Sequence, residues 1–289
     1  MQFEEFSNIV SAEFPGMTGE QMDLFRRMEP LYRDWNSRIN VISRKDIDGF
    51  YEHHVLHSLA IASYWLREGI LPASLSPCAS SASSTSSAST SSASSASTST
   101  TTTSSSSTTS SSTSSSASSA SSSASSASST SSSTAPSSRL SVLDVGTGGG
   151  FPGIPLAVLF PGISFTLCDS VGKKAIVAKA VAESLGLNNV TVVNARAESL
   201  PDRFDFVVSR AVTTLDNFYP WVRDSFKYSI FYLKGGDVNE EIAQLMGRNR
   251  LKKGSVRTWR VDNWLQGEYF QEKFVIQIEK DYLCGPIVE

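Results

Sequence analysis

Residues 144–153 read Asp-Val-Gly-Thr-Gly-Gly-Gly-Phe-Pro-Gly, at the end of the short apolar run Leu140–Val145. An apolar run that ends in glycines is how a buried parallel strand reads. Glycines at its carboxyl end let a ligand approach the backbone, beside a helix start whose N–H groups have no intrahelical partner. A tight turn needing positive φ would use one or two of these glycines, and this loop has more, with acids placed around it. Asp169 follows Asp144 by 25 residues, at the end of the next apolar run. A carboxylate there can accept hydrogen bonds from both hydroxyls of a ribose.

Two ligands compete for such a loop. Gly148, Gly150 and Gly153 match the dinucleotide spacing, and a second-strand acid follows, so a nicotinamide dinucleotide and an oxidoreductase are one reading. Against it, Asp144 stands two residues ahead of the loop, in the D-x-G-x-G form whose acid organises the loop around the methionine moiety of S-adenosylmethionine. Pro152 also falls where a dinucleotide-binding helix makes its close approach to pyrophosphate. The balance favours S-adenosylmethionine.

The surrounding pattern alternates. Strands are expected at Ser164–Cys168, Val190–Val193, Phe204–Ser209 and Ile230–Leu233. Helices are expected at Pro152–Phe160, at Lys173–Leu185 with Gly186 as cap, and near Asp216–Phe226. Two further strands, Ser255–Val261 and Lys273–Ile278, suit an antiparallel hairpin. Alternation of this kind gives a doubly wound α/β fold with a mostly parallel sheet. Ahead of it, residues 1–72 read as helical. Thr18 and Gln21 form a capping box, and Met22, Phe25, Met28, Leu31 and Trp35 recur at helical spacing. Pro30 predicts a kink or the start of a second helix. After a loop at Ser43–Lys45, another helix is expected over Asp46–Leu66.

Between these parts, Ala79–Ala135 is an unbroken run of 57 Ser, Thr and Ala residues. It has too little apolar surface to offset its ordering entropy, so residues 73–138 are expected to be a disordered insertion that loops out. The expected organisation is a helical extension over 1–72, the insertion over 73–138, and a ligand-binding domain over 139–289. Net charge is −3, with 7 Lys or Arg against 11 Asp or Glu in residues 1–72. Generic attraction to nucleic acid is therefore lacking, and any such contact needs local basic patches. Three cysteines, Cys78, Cys168 and Cys284, have no metal or disulfide spacing. The start, MQFEEFSNIV, lacks the basic and apolar regions of a secretory leader, and no run reaches membrane-spanning length. A soluble cytoplasmic protein is expected.

Several further segments occur in order: Asp34–Asn40 (DWNSRIN), His53–Ser58 (HHVLHS), Asp144–Pro155 (DVGTGGGFPGIP), Asp169–Lys174 (DSVGKK), Ala195–Glu198 (ARAE), Ser209–Ala211 (SRA) and Leu233–Gly236 (LKGG). In this order the chain resembles the RsmG (GidB) family, bacterial methyltransferases of guanine N7 in small-subunit (16S) rRNA. The resemblance covers nearly everything outside the Ser/Thr/Ala run. It implies a Rossmann-like class I S-adenosylmethionine methyltransferase fold, with a seven-stranded sheet and an N-terminal helical extension. It also implies small-subunit rRNA, or the subunit, as partner. Gly146, Gly148, Phe151, Asp169, Ala197, Glu198 and Arg210 then fall at cofactor-binding positions. Asn40, Arg210 and Lys234 fall on the catalytic, guanine side, and Lys173 and Arg196 on the RNA side. Where the family commonly has Arg-His-x-x-Asp-Ser, this chain has His53-His54-x-x-His57-Ser58.

The chemistry is consistent with that resemblance. Guanine N7 has a lone pair and no proton, so its methylation needs no general base; positioning and electrostatics suffice. The end of the fourth strand, Ser209-Arg-Ala-Val, has no Asn/Asp-Pro-Pro-aromatic motif, and no cysteine follows the fourth or fifth strand to act as nucleophile. Some methyltransferases of small molecules need as little, and a non-catalytic RNA-binding protein is a further reading. For Arg210 the plain alternative is a surface salt bridge, for Lys234 a solvated lysine, and for Phe151 helix packing. His53 and His57 share a helix face, but no third metal ligand is evident, so helix-surface or packing roles are expected, with an RNA or interdomain contact as the alternative, and no metal. Arg248, Arg250, Lys252, Lys253, Arg257 and Arg260 are uninterrupted by any acid. They make a candidate RNA edge, with Lys252 and Lys253 as its centre and Trp259 for stacking; a solvated hairpin is the alternative. A monomer is expected.

Overall fold

Val142, Leu143 and Val145 are all buried, as a strand covered on both faces requires, and they lie in β1 (Ser141–Val145). The computed structural model describes residues 1–75, 139–200 and 203–280. Six further strands follow: β2 (Ser164–Cys168), β3 (Val190–Val193), β4 (Phe204–Arg210), β5 (Phe226–Gly235), β6 (Val256–Arg260) and β7 (Lys273–Glu279). They form one seven-stranded sheet in the order β3-β2-β1-β4-β5-β7-β6. The first five are parallel, and β7 runs antiparallel to both β5 and β6. This is the doubly wound, mostly parallel sheet that the alternation predicts.

Seven α-helices accompany it among the described residues: α1 (Phe3–Glu13), α2 (Gly19–Arg38), α3 (His57–Arg67), α4 (Gly153–Leu159), α5 (Gly172–Leu185), α6 (Leu215–Val222) and α7 (Asn239–Asn249). Successive strand side chains point to opposite faces, and β4 divides its residues accordingly. Phe206 and Val208 join a core with residues of α1 to α5, while Val207 joins a second core with Leu215, Phe218 and Val222 of α6 and Leu245 of α7. Phe6, Phe25 and Trp65 of the N-terminal helices thus share apolar contacts with the sheet itself. No helix among the described residues is long and apolar enough to cross a membrane. The insertion expected over 73–138 lies outside the described residues, apart from its first three.

The capping box forms as read: Thr18 Oγ1 accepts from Gln21 N at 3.2 Å, and Gln21 Oε1 accepts from Thr18 N at 2.9 Å. Thr18→Ala is expected to cost about 1 kcal/mol, seen as a lower urea midpoint with unchanged slope. No second helix starts at Pro30, and α2 runs through it. Proline leaves the Arg26 carbonyl without its N–H donor. The Tyr51 hydroxyl lies 3.4 Å from that oxygen and 3.4 Å from the Phe25 oxygen, and supplies the missing donor. The helix expected over Asp46–Leu66 is also not uniform. Ile47–Gly49 is a 3-10 turn and Phe50–Leu56 a widened π turn, before α3 begins. Strand β5 starts at Phe226, so α6 is shorter than its sequence suggests, and α7 is an element the sequence reading did not include.

Candidate active site

The glycine loop joins β1 to α4 at the carboxyl ends of the parallel strands, where ligands of open α/β sheets bind. Asp144 organises it. One oxygen, Oδ2, accepts from Thr147 Oγ1 at 2.6 Å and from Gly153 N at 2.8 Å, tying the loop's start to the helix. The other, Oδ1, is buried and has no hydrogen-bond partner among the described residues. Asp169 closes the loop from β2, accepting from Gly148 N at 2.9 Å and Val171 N at 2.7 Å. Tyr32 of α2 donates to the Gly149 carbonyl at 2.7 Å and packs on Phe151. Two clefts open on the two sides of the loop and share Gly146.

The first, of about 300 Å³, is lined by Asp169, Arg196, Ala197 and Glu198 together with the apolar Val171, Val212 and Trp221. The second, of about 770 Å³, holds Gly148, Phe151, Arg210 and Lys234. The sequence-derived set therefore divides between two adjoining spaces. Asn40 and Lys173 line neither. Both are exposed, and their chain neighbours Val41 and Lys174 line the second cleft instead. Consecutive residues at a helix start point in different directions, so a one-residue offset decides which lysine enters.

Lys252 and Lys253 stand far from both clefts. They precede β6, whose first residue pairs with Ile278 near the end of β7, and β7 is antiparallel. They therefore lie at the amino ends of the parallel strands, opposite the loop. Three of the four arginines around them are ion-paired: Arg248 with Asp216, Arg257 with Glu279, and Arg260 with Asp262. Lys234 is not a solvated lysine: its Nζ lies 2.9 Å from Glu241 and 3.2 Å from the Thr213 carbonyl.

Arg210 is not a surface salt bridge either. Burial lowers its pKa, and no carboxylate among the described residues forms an ion pair with it. Its Nη1 donates to the His53 carbonyl at 3.0 Å, Nη2 meets His54 Nδ1 at 3.0 Å, and the guanidinium sits 5.2 Å from the Phe151 ring centre. Phe151 itself is buried among Tyr32, Phe50 and His54. The histidines are thus neither on the surface nor grouped as ligands. His53 and His54 both bond Asp46, and His57 meets the Tyr269 hydroxyl at 3.2 Å. No group of three or more His, Cys, Asp or Glu side chains among the described residues is arranged for a metal. Asp46, Tyr269 and Lys273 line the second cleft and were not singled out from sequence.

Burial pushes the Asp144 carboxyl up to about 7, against hydrogen bonds from Thr147 and Gly153 and the charge of Arg210. The unfolded value is about 3.9, so between about pH 4 and pH 7 the native protein retains a proton that the unfolded chain has released. Stability of the unliganded protein is expected to fall as pH rises through that window. Asp144→Asn removes the difference, and its urea midpoint is expected to vary less between pH 5 and about pH 7.5.

Sheet order, glycine loop and paired acids define a Rossmann-like class I S-adenosylmethionine-dependent methyltransferase. Over residues 124–262 the sequence matches the GidB family, described as rRNA small subunit methyltransferase G. Proteins called ribosomal RNA small subunit methyltransferase G are similar along almost the whole chain. That of Christiangramia forsetii is 32% identical over 277 residues, covering 93% of this chain and 95% of its own. That of Flavobacterium psychrophilum is 35% identical, with 92% and 94% covered, and that of Bacteroides fragilis strain ATCC 25285 is 36% identical, with 92% and 96% covered. The chain belongs to the rRNA small subunit methyltransferase G family.

Proposed function

We propose that this protein methylates N7 of a guanine in small-subunit rRNA, acting in the cytoplasm as a monomer. One observation carries the reading beyond family membership. The second cleft is lined by four cations, Lys174, Arg210, Lys234 and Lys273, of which Lys234 is paired with Glu241, and by one carboxylate, Asp46. Asp46 is engaged by His53 and His54, so the cleft suits a polyanionic acceptor and its carboxylate is not a free base. An acceptor atom with a lone pair and no proton needs none.

S-adenosylmethionine supplies an electrophilic methyl group. The residues fit such a ligand: Asp144 Oδ1 is a buried acceptor suited to an ammonium group, and a side chain at Gly148 would meet open space. In this reading Gly146, Gly148, Phe151, Asp169, Ala197, Glu198 and Arg210 hold the cofactor. Arg210 and Lys234 face the acceptor, and Arg196 with Lys174 meets RNA phosphate. Asn40 and Lys173 are left to the rim, and Lys252 and Lys253 to a separate contact on a large substrate.

The test is transfer of radiolabelled methyl from S-adenosylmethionine to 16S rRNA, or to small subunits from cells lacking the modification, followed by nucleoside analysis. Labelled 7-methylguanosine is expected. Label in another nucleoside would overturn the N7 assignment, and label only in small molecules would overturn RNA as acceptor.

A further inference from the structure

Arg210 presents a charge without a carboxylate partner to the cleft that the proposed function takes as the reaction site, and the inference rests on that reading. A guanidinium is useful there only if its orientation is fixed, because its recognition of carboxylate or phosphate depends on a planar fork of donors. What fixes it is neutral. Arginine has donors and no acceptor, so the 3.0 Å contact between Arg210 Nη2 and His54 Nδ1 requires a lone pair on Nδ1. Burial, and next the Arg210 charge, push the His54 imidazole down to about 4, so the ring is uncharged at neutral pH. Its single proton is therefore on Nε2. That atom lies 2.7 Å from Asp46 Oδ2, which can only accept: burial acts to raise the Asp46 carboxyl, but its hydrogen bonds with His53 and His54 hold it below the ordinary carboxylate value and keep it ionised.

We propose that Asp46 and His54 are positioning residues for methyl transfer, Asp46 fixing the His54 tautomer and His54 fixing the Arg210 guanidinium. The donors run one way along this path, from Arg210 to His54 to Asp46. In the other tautomer, two donors would oppose each other at Arg210 and a bare lone pair would face the carboxylate. A second brace holds the same fork. Arg210 Nη1 donates to the His53 carbonyl, which the Tyr269 hydroxyl also reaches at 3.1 Å while its ring stacks on His53 with centres 3.9 Å apart. The widened turn Phe50–Leu56 supplies both histidines, and such turns often mark functional sites.

The arrangement also explains why a histidine stands between the two charges. A carboxylate in direct contact with Arg210 would hold it equally well but would neutralise it. With the carboxylate one ring away, Arg210 is oriented while its charge remains available to an anionic group of the ligand.

Two substitutions of His54 separate this from a role in packing. Asparagine places its amide oxygen near the former Nδ1, so His54→Asn keeps an acceptor for Arg210. Glutamine reaches toward the former Nε2, so His54→Gln keeps the contact with Asp46 and loses the one with Arg210. Calorimetric titration with S-adenosylhomocysteine reads the effect without RNA. His54→Gln is expected to bind roughly tenfold more weakly, with His54→Asn closer to the parent than to His54→Gln. Nitrogen-15 NMR of the three histidines, with His54 assigned by its loss in His54→Gln, reads the tautomer directly. The expected result is a bare Nδ1 and a protonated Nε2, turning into a mixture in Asp46→Ala. A proton on Nδ1 of the parent protein, or equal weakening by both substitutions, would overturn the proposal. Neither measurement involves the acceptor, so absence of 7-methylguanosine would count against the proposed function alone.

Discussion

Gly146→Asp is expected to abolish S-adenosylmethionine binding while the protein still folds. Gly146 has φ of +68°, in the left-handed region, where a residue with a side chain costs about 1–2 kcal/mol. A Cβ added there would lie 2.4 Å from Val212 Cγ2. Val212 is 37% exposed on its loop and can move, so the clash is relieved, and the remaining backbone cost is small enough for the fold to survive. The ligand site has no such escape. Gly146 is common to both clefts, and the new carboxylate would intrude on them and add a negative charge to the cleft that Asp169 already lines. Affinity for S-adenosylhomocysteine is expected to fall roughly a hundredfold or more, measured by calorimetry beside an unchanged far-ultraviolet dichroism spectrum. Binding within a fewfold of the parent would move the cofactor away from this loop.

Arg210→Met is expected to lower single-turnover methyl transfer by about a hundredfold or more, the scale of losing one oriented electrostatic group. Its effect on stability is expected to be small, although the residue is half-buried. Removing a buried cation that lacks a carboxylate partner recovers desolvation free energy. Against this, His54 Nδ1 and the His53 carbonyl lose a donor, at about 1–3 kcal/mol each. Methionine keeps apolar contact with Phe151, so the opposing effects leave the melting temperature within several degrees of the parent. Loss of activity together with a collapse of the melting temperature would mean that Arg210 serves the fold rather than the site.

The parts of this architecture that depend on local sequence were readable. β2 and β3 begin and end where their β-branched and apolar residues do, and Gly186 caps α5 with φ of +72°. What escaped was decided by residues distant in the chain. Pro30 signals a break, yet Tyr51 restores the lost donor. The partner of His53 and His54 was not legible, because Arg210 is more than 150 residues away. Asp46 and Tyr269 have no motif around them, and only the meeting of a widened turn, β4 and the loop before β7 places them at the cleft. Where Lys252 and Lys253 stand relative to the clefts was not legible, since composition records charge and not direction. Their position follows from β7 running against its neighbours.

That reversed strand also bears on how the protein is made. β7 lies between β5 and β6 but is synthesised after both, and among the described residues β6 pairs with no other strand. While the ribosome is still short of Lys273, β5 carries an open row of backbone donors and acceptors on its outer side, and β6 has no neighbour at all. Open strands of this kind invite pairing with other chains. A premature stop before residue 273 would not trim a tail; it would remove an interior strand, and the nascent chain stays adhesive until that strand arrives.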